Sequence, residues 1–375
     1  MKILISINTS WNLVNFRSGL VQALVSQGYE VIAAAPWDGY VSEVTALGCR
    51  YVPLPMDNKG TNPVRDLALF WRYLHLMLCE QPDVFLGYTV KPNVYGSLAA
   101  RFVRVPVINN VAGLGTVFQK GGWLNQLVIG LYRLALARSR RVFFQNAEDR
   151  QLFITGGLVD EGVSDRLPGS GVDLKKFSAT PVPIGSTFRF LLIARMLWDK
   201  GVGEYVEAAR LLRQRVVNAD CCLLGFLDVE NLSAISKQQM DEWIAEGVVR
   251  YLGVSDNVLE EITLAHCIVL PSFYREGTPR TLLEAAAMAR PIITTDNVGC
   301  RDVVEDGVNG FLCRPRDAED LADKMQKMVS LSSAEREVMG LRGREKVGRE
   351  FDEKIVIDKY LEVINEIAIE SCRSR

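Results

Sequence analysis

From end to end the chain alternates between short apolar runs and longer amphipathic stretches, and that alternation constrains its fold more than any single motif. A buried strand that returns through a helix to another buried strand closes its hydrogen bonds in a parallel sheet covered by helices on both faces. In the first half, KILISI, YEVIAAA, CRYVPLP, DVFLGY, VPVINNV and RRVFFQN read as such strands, with helical segments such as FRSGLVQALVSQG and NVYGSLAARFV between them. SATPVPIGST, residues 178–187, reads as a linker by composition. Beyond it the pattern restarts with FRFLLIARM, CCLLGF, VVRYLGV, CIVLPS, RPIITTD and GFLCRP. The expected fold is α/β, with two doubly wound Rossmann-like domains, 1–180 and 181–350, facing a cleft. Residues 351–375 carry the amphipathic run FDEKIVIDKYLEVINEIAIES with no strand after it, expected to pack back on the first domain. A length of 375 residues gives each domain its own core. Ligands of such sheets lie beyond the carboxyl ends of the strands, so the cleft is the expected site.

Composition narrows the setting. Hydrophobic residues at 48% and charged residues at 23% exclude wholesale disorder. The cysteines include no C-x-x-C pair and sit mostly in apolar runs such as AHCIVL and DCCLLG, which reads as reduced core thiols of a cytoplasmic protein. MKILISINTS lacks the features of a signal peptide, and no run reaches the roughly 18–20 apolar residues that a bilayer span needs. The net charge of -2 hides an asymmetry: residues 1–185 hold 18 Lys and Arg against 13 Asp and Glu, and the remainder is acidic. No Asp or Glu stands between Asp83 and Glu148, an interval that holds Lys91, Arg101, Arg104, Lys120, Arg133, Arg138, Arg140 and Arg141. Within it, KGGWLNQLVIGLYRLALARSRR (120–141) joins Trp, Tyr and many aliphatics to a basic end. One reading is an interfacial helix with Arg138, Arg140 and Arg141 on anionic lipid, placing the protein peripherally on the inner face of the cytoplasmic membrane. The other is a half-buried domain helix with a solvated basic end. No nucleic-acid partner is expected, and oligomeric state is not legible.

The chemistry concentrates in YREGTPRTLLE, residues 274–284. Glu276 precedes a Gly-Thr-Pro turn, and Glu284 lies inside the helix expected to start near Pro279. A helix N-terminus with unpaired N–H groups attracts anions, phosphate above all. At the end of the second domain's first strand, ARMLWDKGV sets Arg195 and Lys200 across a turn, where two cations could neutralise a diphosphate. Taken alone, such a pair is most often a pair of surface charges. Neither a G-x-G-x-x-G after the first strand nor a G-x-x-x-x-G-K-[ST] occurs, which argues against a dehydrogenase and a P-loop phosphotransferase.

Three motifs in order, GSGVDLKKF (169–177), ARMLWDKGV (194–202) and PSFYREGTPRTLLEAAAMARPIITTDNVGCRDVVEDGVNGFL (271–312), resemble family 4 of the glycosyltransferases, retaining enzymes of the GT-B fold. The resemblance spans nearly the whole second domain. REGTPRTLLEA and the basic, aromatic first domain are similar to bacterial enzymes that extend sugars on undecaprenyl-diphosphate carriers. The resemblance implies that Glu276 faces the donor sugar's hydroxyls while Glu284 holds the ribose hydroxyls of the nucleotide. It sets the backbone of Gly277, Thr278 and Arg280, around Pro279, on phosphate and sugar, and Arg195 and Lys200 on the diphosphate. The main chain at Gly253 and Val254 would read the base, uracil by family preference. The implied function is retaining transfer of an α-linked sugar, an N-acetylhexosamine foremost, from UDP-sugar to a lipid-diphosphate-linked glycan of surface polysaccharide, O-antigen or glycoprotein assembly. The UDP-sugar is substrate and no cofactor is expected. The chain has no D-x-D, so the reaction is expected to need no metal.

The chain departs from the family in its first domain. His75 and His266 are its only histidines, and neither fits the family's sugar-side histidine. That region reads INNVAGLGTVF, which makes Asn110, Gly113 and Gly115 sugar-side or acceptor-side candidates, with Lys91 also on the acceptor side. The family's Gly-Gly in the first loop is replaced by NLVNFRSG, where Asn15 and Phe16 approach phosphate or acceptor. Arg17, expected at a helix start, is either a ligand of the carrier diphosphate or a surface charge. Other readings are a transferase for a soluble acceptor, a nucleotide-sugar epimerase, and a non-catalytic nucleotide-sugar-binding subunit.

Overall fold

The structure, a computed structural model, describes residues 1–57, 62–113, 123–183, 185 and 187–373, without the side chains of 123–125. The first sheet contains β1 (Lys2–Ser6), β2 (Glu30–Ala35), β3 (Arg50–Pro53), β4 (Val84–Tyr88), β5 (Val107–Val111), β6 (Arg141–Phe144) and β7 (Ser164–Arg166). Their order is β3-β2-β1-β4-β5-β6-β7, parallel throughout. The second contains β8 (Phe188–Ile193), β9 (Ala219–Leu224), β10 (Arg250–Tyr251), β11 (Cys267–Leu270), β12 (Ile292–Thr295) and β13 (Gly310–Cys313). It is wound the same way, β10-β9-β8-β11-β12-β13, again parallel. Each is the doubly wound α/β arrangement, and the winding reverses between β1 and β4 in one sheet and between β8 and β11 in the other.

Side-chain alternation explains why both sheets are buried on two faces. Leu4, Ile32 and Phe85 pack under the helices Pro63–Glu80 and Ser97–Val103, while Ile3, Ile5, Val31 and Leu86 pack on the opposite face under the helix Ser10–Ser26. The terminal helix Glu353–Arg373 completes that second face with Val356, Tyr360, Val363, Ile364 and Ile367, all buried. Burial of each stabilises the unit by about 1.5–3 kcal/mol.

The chain divides into Met1–Ser170 with Glu353–Arg375, and Gly171–Asp352. That division falls ahead of the linker read at 178–187, for a specific reason. Arg290, only 1% exposed, donates through Nη1 to Thr180 O (2.9 Å) and through Nη2 to Thr180 Oγ1 (2.6 Å) and Pro181 O (2.8 Å). Composition suggests a loose tether, but this guanidinium fastens it to the second unit. A second difference is β7, which the apolar pattern misses because Ser-Asp-Arg is polar throughout.

Candidate active site

In the second unit the residues of three separated sequence stretches meet at the carboxyl ends of β9, β8 and β11. Lys200 Nζ lies 2.6 Å from Glu276 Oε2, with side chains 13% and 11% exposed. Ser272 donates to the other carboxylate oxygen of Glu276 at 2.6 Å. The two loops are clasped by Phe273 and Tyr274, whose N–H groups donate to Asp199 O at 3.1 and 3.0 Å. Two glycines make the close approach possible. Gly201 (φ +74°) passes so near the second loop that a Cβ would stand 2.1 Å from Pro271 O, and a Cβ on Gly299 (φ +82°) would stand 1.9 Å from Gly277 O. The Lys200 ammonium also sits 5.6 Å from the centre of the Tyr274 ring. Arg195 is exposed at the end of β8, with no ion pair among the described residues.

The helix after this loop is Arg280–Ala287, with Pro279 as its N-cap rather than its first residue. It has no side-chain cap and no acid in its first turn, so its N-terminal dipole keeps its positive potential. Arg280 adds a full charge at the very end where the dipole disfavours one, and donates through Nε to Glu284 Oε1 at 2.9 Å. Burial raises the Glu284 carboxyl above the ordinary range, and the Arg280 charge opposes that rise. Thr281 Oγ1 donates to Ile193 O (3.3 Å), tying the helix start to the end of β8. Gly277, Thr278 and Pro279 are buried beneath this turn. On the other side, Gly253 (φ +77°) accepts from Gly225 N–H at 2.8 Å, and Val254 next to it is 51% exposed. Cys300 offers no nucleophile, since burial, with the Glu276 charge adding to it, pushes its thiol up to about 12.

The first unit arranges its candidates differently from expectation. The helix expected to start near Phe16 runs from Ser10 to Ser26, with Thr9 Oγ1 accepting from Asn12 N–H. Asp38, a residue not singled out in the sequence, accepts from the N–H groups of Ser10 (2.8 Å) and Trp11 (3.2 Å) and neutralises that helix end. Asn15 and Phe16 are half-buried within the helix, Asn15 donating to Trp11 O (2.9 Å) and Phe16 packing edge-on to Trp11. Arg17 is therefore neither at a helix start nor on the surface. It is 6% exposed, with Cζ 4.6 Å from the centre of the Tyr88 ring.

The acceptor-side candidates are largely engaged. Lys91 Nζ pairs with Asp66 Oδ1 at 2.7 Å, and Tyr95 donates to the other oxygen of that carboxylate. Asn110 is fully buried on β5, donating to Tyr360 Oη (3.2 Å) and accepting from Gln145 (3.5 Å). Gly113 turns the chain with φ +124°, and Gly115 and Lys120 lie outside the described residues. His266 accepts from Arg189 N–H at 3.1 Å and is held below its ordinary range first by burial and then by Arg336, while His75 is exposed beside Cys79. Of the basic run, Arg133 donates to Gly156 and Gly157 carbonyls, and Arg140 pairs with Glu366 and Glu370 of the terminal helix. Arg141 lies 4.0 Å from Glu366. An apolar face that the sequence reading passed over stands instead on the helix Pro63–Glu80: Val64, Leu67, Trp71 and Leu78 share one side and are each more than half exposed, with Phe102 of the next helix 73% exposed. The spacing of these four residues was the signal, masked by the apolar residues of the buried side.

Comparison with known proteins gives the family and the fold of the chain. The family model described as "Glycosyl transferases group 1" matches residues 187–330, and "Glycosyl transferase 4-like domain" matches 15–163. A Campylobacter jejuni protein named N,N'-diacetylbacillosaminyl-diphospho-undecaprenol alpha-1,3-N-acetylgalactosaminyltransferase is 27% identical over 95% of this chain and 96% of its own. The Staphylococcus aureus capsular polysaccharide biosynthesis glycosyltransferase CapM is 25% identical over 82% of this chain and 84% of its own. Among solved structures, a Rickettsia africae glycosyltransferase superposes with a TM-score of 0.80 at 19% identity, covering 98% of both chains. Anabaena Alr3699/HepE in complex with UDP gives 0.78 at 18% identity, covering 98% of this chain and 100% of its own.

Proposed function

The chain belongs to the group 1, 4-like glycosyltransferases of GT-B fold, and from that premise we propose that it moves an α-linked N-acetylhexosamine from a UDP-sugar to a lipid-diphosphate-linked glycan in polysaccharide or glycoprotein-glycan assembly. The observation that carries the donor half is the Lys200–Glu276 pair on the loop that leads into an uncapped helix start, with Glu284 one turn inside that helix. The name of the Campylobacter relative supports the acceptor and the sugar class, and the UDP bound to HepE supports the nucleotide.

In this reading, cleavage of the bond from C1 to the phosphate oxygen leaves negative charge on the UDP β-phosphate and oxocarbenium character on the sugar. Lys200, Arg195 and the helix end stabilise the leaving diphosphate, the term that usually contributes most to such a rate. Glu276 accepts from donor-sugar hydroxyls and Glu284 from the ribose hydroxyls, each a charge-assisted bond. The departing phosphate takes the proton of the acceptor hydroxyl on the same face, so the configuration at C1 is retained and no separate base is required. No divalent metal takes part. The protein works in the cytoplasm and meets the membrane surface through the exposed Val64–Leu67–Trp71–Leu78 face, with the acid-free stretch nearby in sequence favouring anionic lipid. No helix among the described residues is long and apolar enough to cross a membrane.

The test is transfer of radiolabel from a panel of UDP-sugars, N-acetylhexosamines first, into solvent-extractable lipid of bacterial membranes, beside a Glu276→Ala control. Label in lipid that depends on Glu276 supports the reading. UDP release only with soluble acceptors removes the lipid carrier, and no turnover in either case removes catalysis.

A further inference from the structure

Four polar atoms at the winding switch of the first sheet are buried without a hydrogen bond of good geometry, Arg17 Nε and Nη1, Tyr88 Oη and Thr89 Oγ1, the Tyr88 hydroxyl lying beside that of Tyr360. Tyr88 ends β4, Thr89 follows it, and Arg17 reaches the Tyr88 ring from the helix that follows β1, the neighbour of β4 in the sheet. The Arg17 side chain is nine-tenths buried, and no carboxylate pairs with it among the described residues. A guanidinium withdrawn from water is costly unless its charge and its N–H groups are met. The Tyr88 ring meets part of the charge, but a ring face accepts nothing from N–H groups directed past it. Thr89 is held at φ +64°, a conformation that β-branched residues rarely take.

We propose that Arg17, Tyr88 and Thr89 form an anion site for a phosphate of the acceptor's diphosphate, an inference that rests on the lipid-diphosphate reading of the acceptor. The chemistry of the four atoms selects the ligand. Each can act as a donor, one group carries a permanent positive charge, and no carboxylate stands among them. A sugar hydroxyl group would need acceptors as well as donors, whereas a phosphate oxygen needs only donors and a counter-charge. Water could satisfy the donors but not neutralise the cation. The other anion site open to a doubly wound unit, the N-terminus of the first helix, is closed by Asp38, which accepts from Ser10 and Trp11. Lys91 is likewise committed to Asp66. Among the described residues at this end of the sheet Arg17 is therefore a cation left without a carboxylate, and its planar fork suits two phosphate oxygens.

The experiment measures binding of farnesyl diphosphate to the full chain with UDP present at saturation, for wild type, Arg17→Met and Tyr88→Phe, with UDP affinity measured separately. Arg17→Met should weaken farnesyl diphosphate at least about tenfold and leave UDP affinity within about twofold. Tyr88→Phe keeps the ring under the guanidinium and removes only the hydroxyl, and should weaken farnesyl diphosphate by about threefold or more. Inorganic pyrophosphate should compete in wild type and not in Arg17→Met. Equal affinity in all three proteins overturns the site, as does loss of UDP affinity in Arg17→Met without loss of farnesyl diphosphate. Should Arg17→Met fail to fold, unchanged affinity in Tyr88→Phe overturns it. If wild type does not bind farnesyl diphosphate while UDP binds and depends on Lys200, this site and the lipid acceptor fall together and the donor assignment stands.

Discussion

Replacing Glu276 by Gln should tighten UDP binding while stopping transfer, and the Lys200 contact explains why. The ammonium and carboxylate are 2.6 Å apart with about one-tenth of each side chain exposed, so the ligand-free protein holds Lys200 on an internal anion. A diphosphate must compete with that carboxylate for Lys200 and is also repelled by it. Two like charges about 6 Å apart at an effective dielectric near 20 repel by almost 3 kcal/mol, and screening in a site open at Arg195 reduces this to about 1 kcal/mol, roughly fivefold in affinity. The same substitution leaves Lys200 partly buried without its counter-charge. Loss of one partner of a fully buried pair costs about 3–5 kcal/mol, so here, with Gln still able to accept from Lys200 and Ser272, about 2 kcal/mol of stability should go. Lys200→Met combined with Glu276→Gln should recover most of that loss and bind UDP weakly. Calorimetric titration with UDP, urea unfolding and the transfer assay read the three effects separately. UDP binding to Glu276→Gln weaker than to wild type would refute the competition, because it would mean that the pair orients Lys200 for the phosphate rather than withholding it.

Glu284 should make UDP binding pH-dependent. Its carboxyl is raised above the ordinary 4.5 chiefly by burial, so as pH falls through the raised value it takes a proton and loses the charge that accepts the ribose hydroxyls. UDP affinity should therefore drop in mild acid and the drop should vanish in Glu284→Gln. Stability should move oppositely, rising as pH falls between the raised value and 4.5, because the folded chain holds a proton that the unfolded chain releases. EDTA should leave transfer unchanged, and loss of activity restored by a divalent cation would contradict the metal-free reading. Trp71→Glu should reduce co-sedimentation with anionic vesicles by about tenfold without changing UDP affinity, and equal partitioning would remove that face from the account. Arg290→Met should lower stability to urea by about 3 kcal/mol through the stranded carbonyls of Thr180, Pro181 and Ile262.

Most strands were legible because they are buried on both faces and stand as apolar runs; the edge strands β3 and β10 are only partly buried, and the one that was missed is the polar edge strand β7. The first helix was legible in its body but not in its start. Leu13, Leu20 and Leu24 at helical spacing, behind a Thr9–Ser10 cap, would have placed it, but the Asn-rich opening looked like a loop. The fastening of residues 180–181 was not legible, because composition carries no information about Arg290, which reaches Thr180 from 110 positions away. In the site, residue types were legible and pairings were not. Lys91 and Arg17 were both plausible anion ligands by sequence, and only the fold gives one of them a carboxylate and denies it to the other.

That contrast separates two ways of building an anion site on one topology. At the switch of the second sheet the helix Arg280–Ala287 starts without a side-chain cap, with Arg280 in its first turn, the Lys200–Glu276 pair on the loop before it and Arg195 near Tyr274 of that loop. A group bound there meets dipole and cations together, and Glu276 keeps Lys200 neutralised until an anion arrives. At the switch of the first sheet the start of the helix Ser10–Ser26, which follows β1, is neutralised by Asp38, so its dipole contributes little, and the charge lies two turns down that helix at Arg17. A cation in a helix interior cannot be supplied by peptide dipoles and cannot be screened by water at 6% exposure. It therefore favours an anion that can enter and accept several bonds at once, which a diphosphate does and an isolated sugar does not. If both sites work as proposed, high salt should weaken farnesyl diphosphate less steeply than it weakens UDP, because the buried Arg17 is screened less than the exposed Arg195.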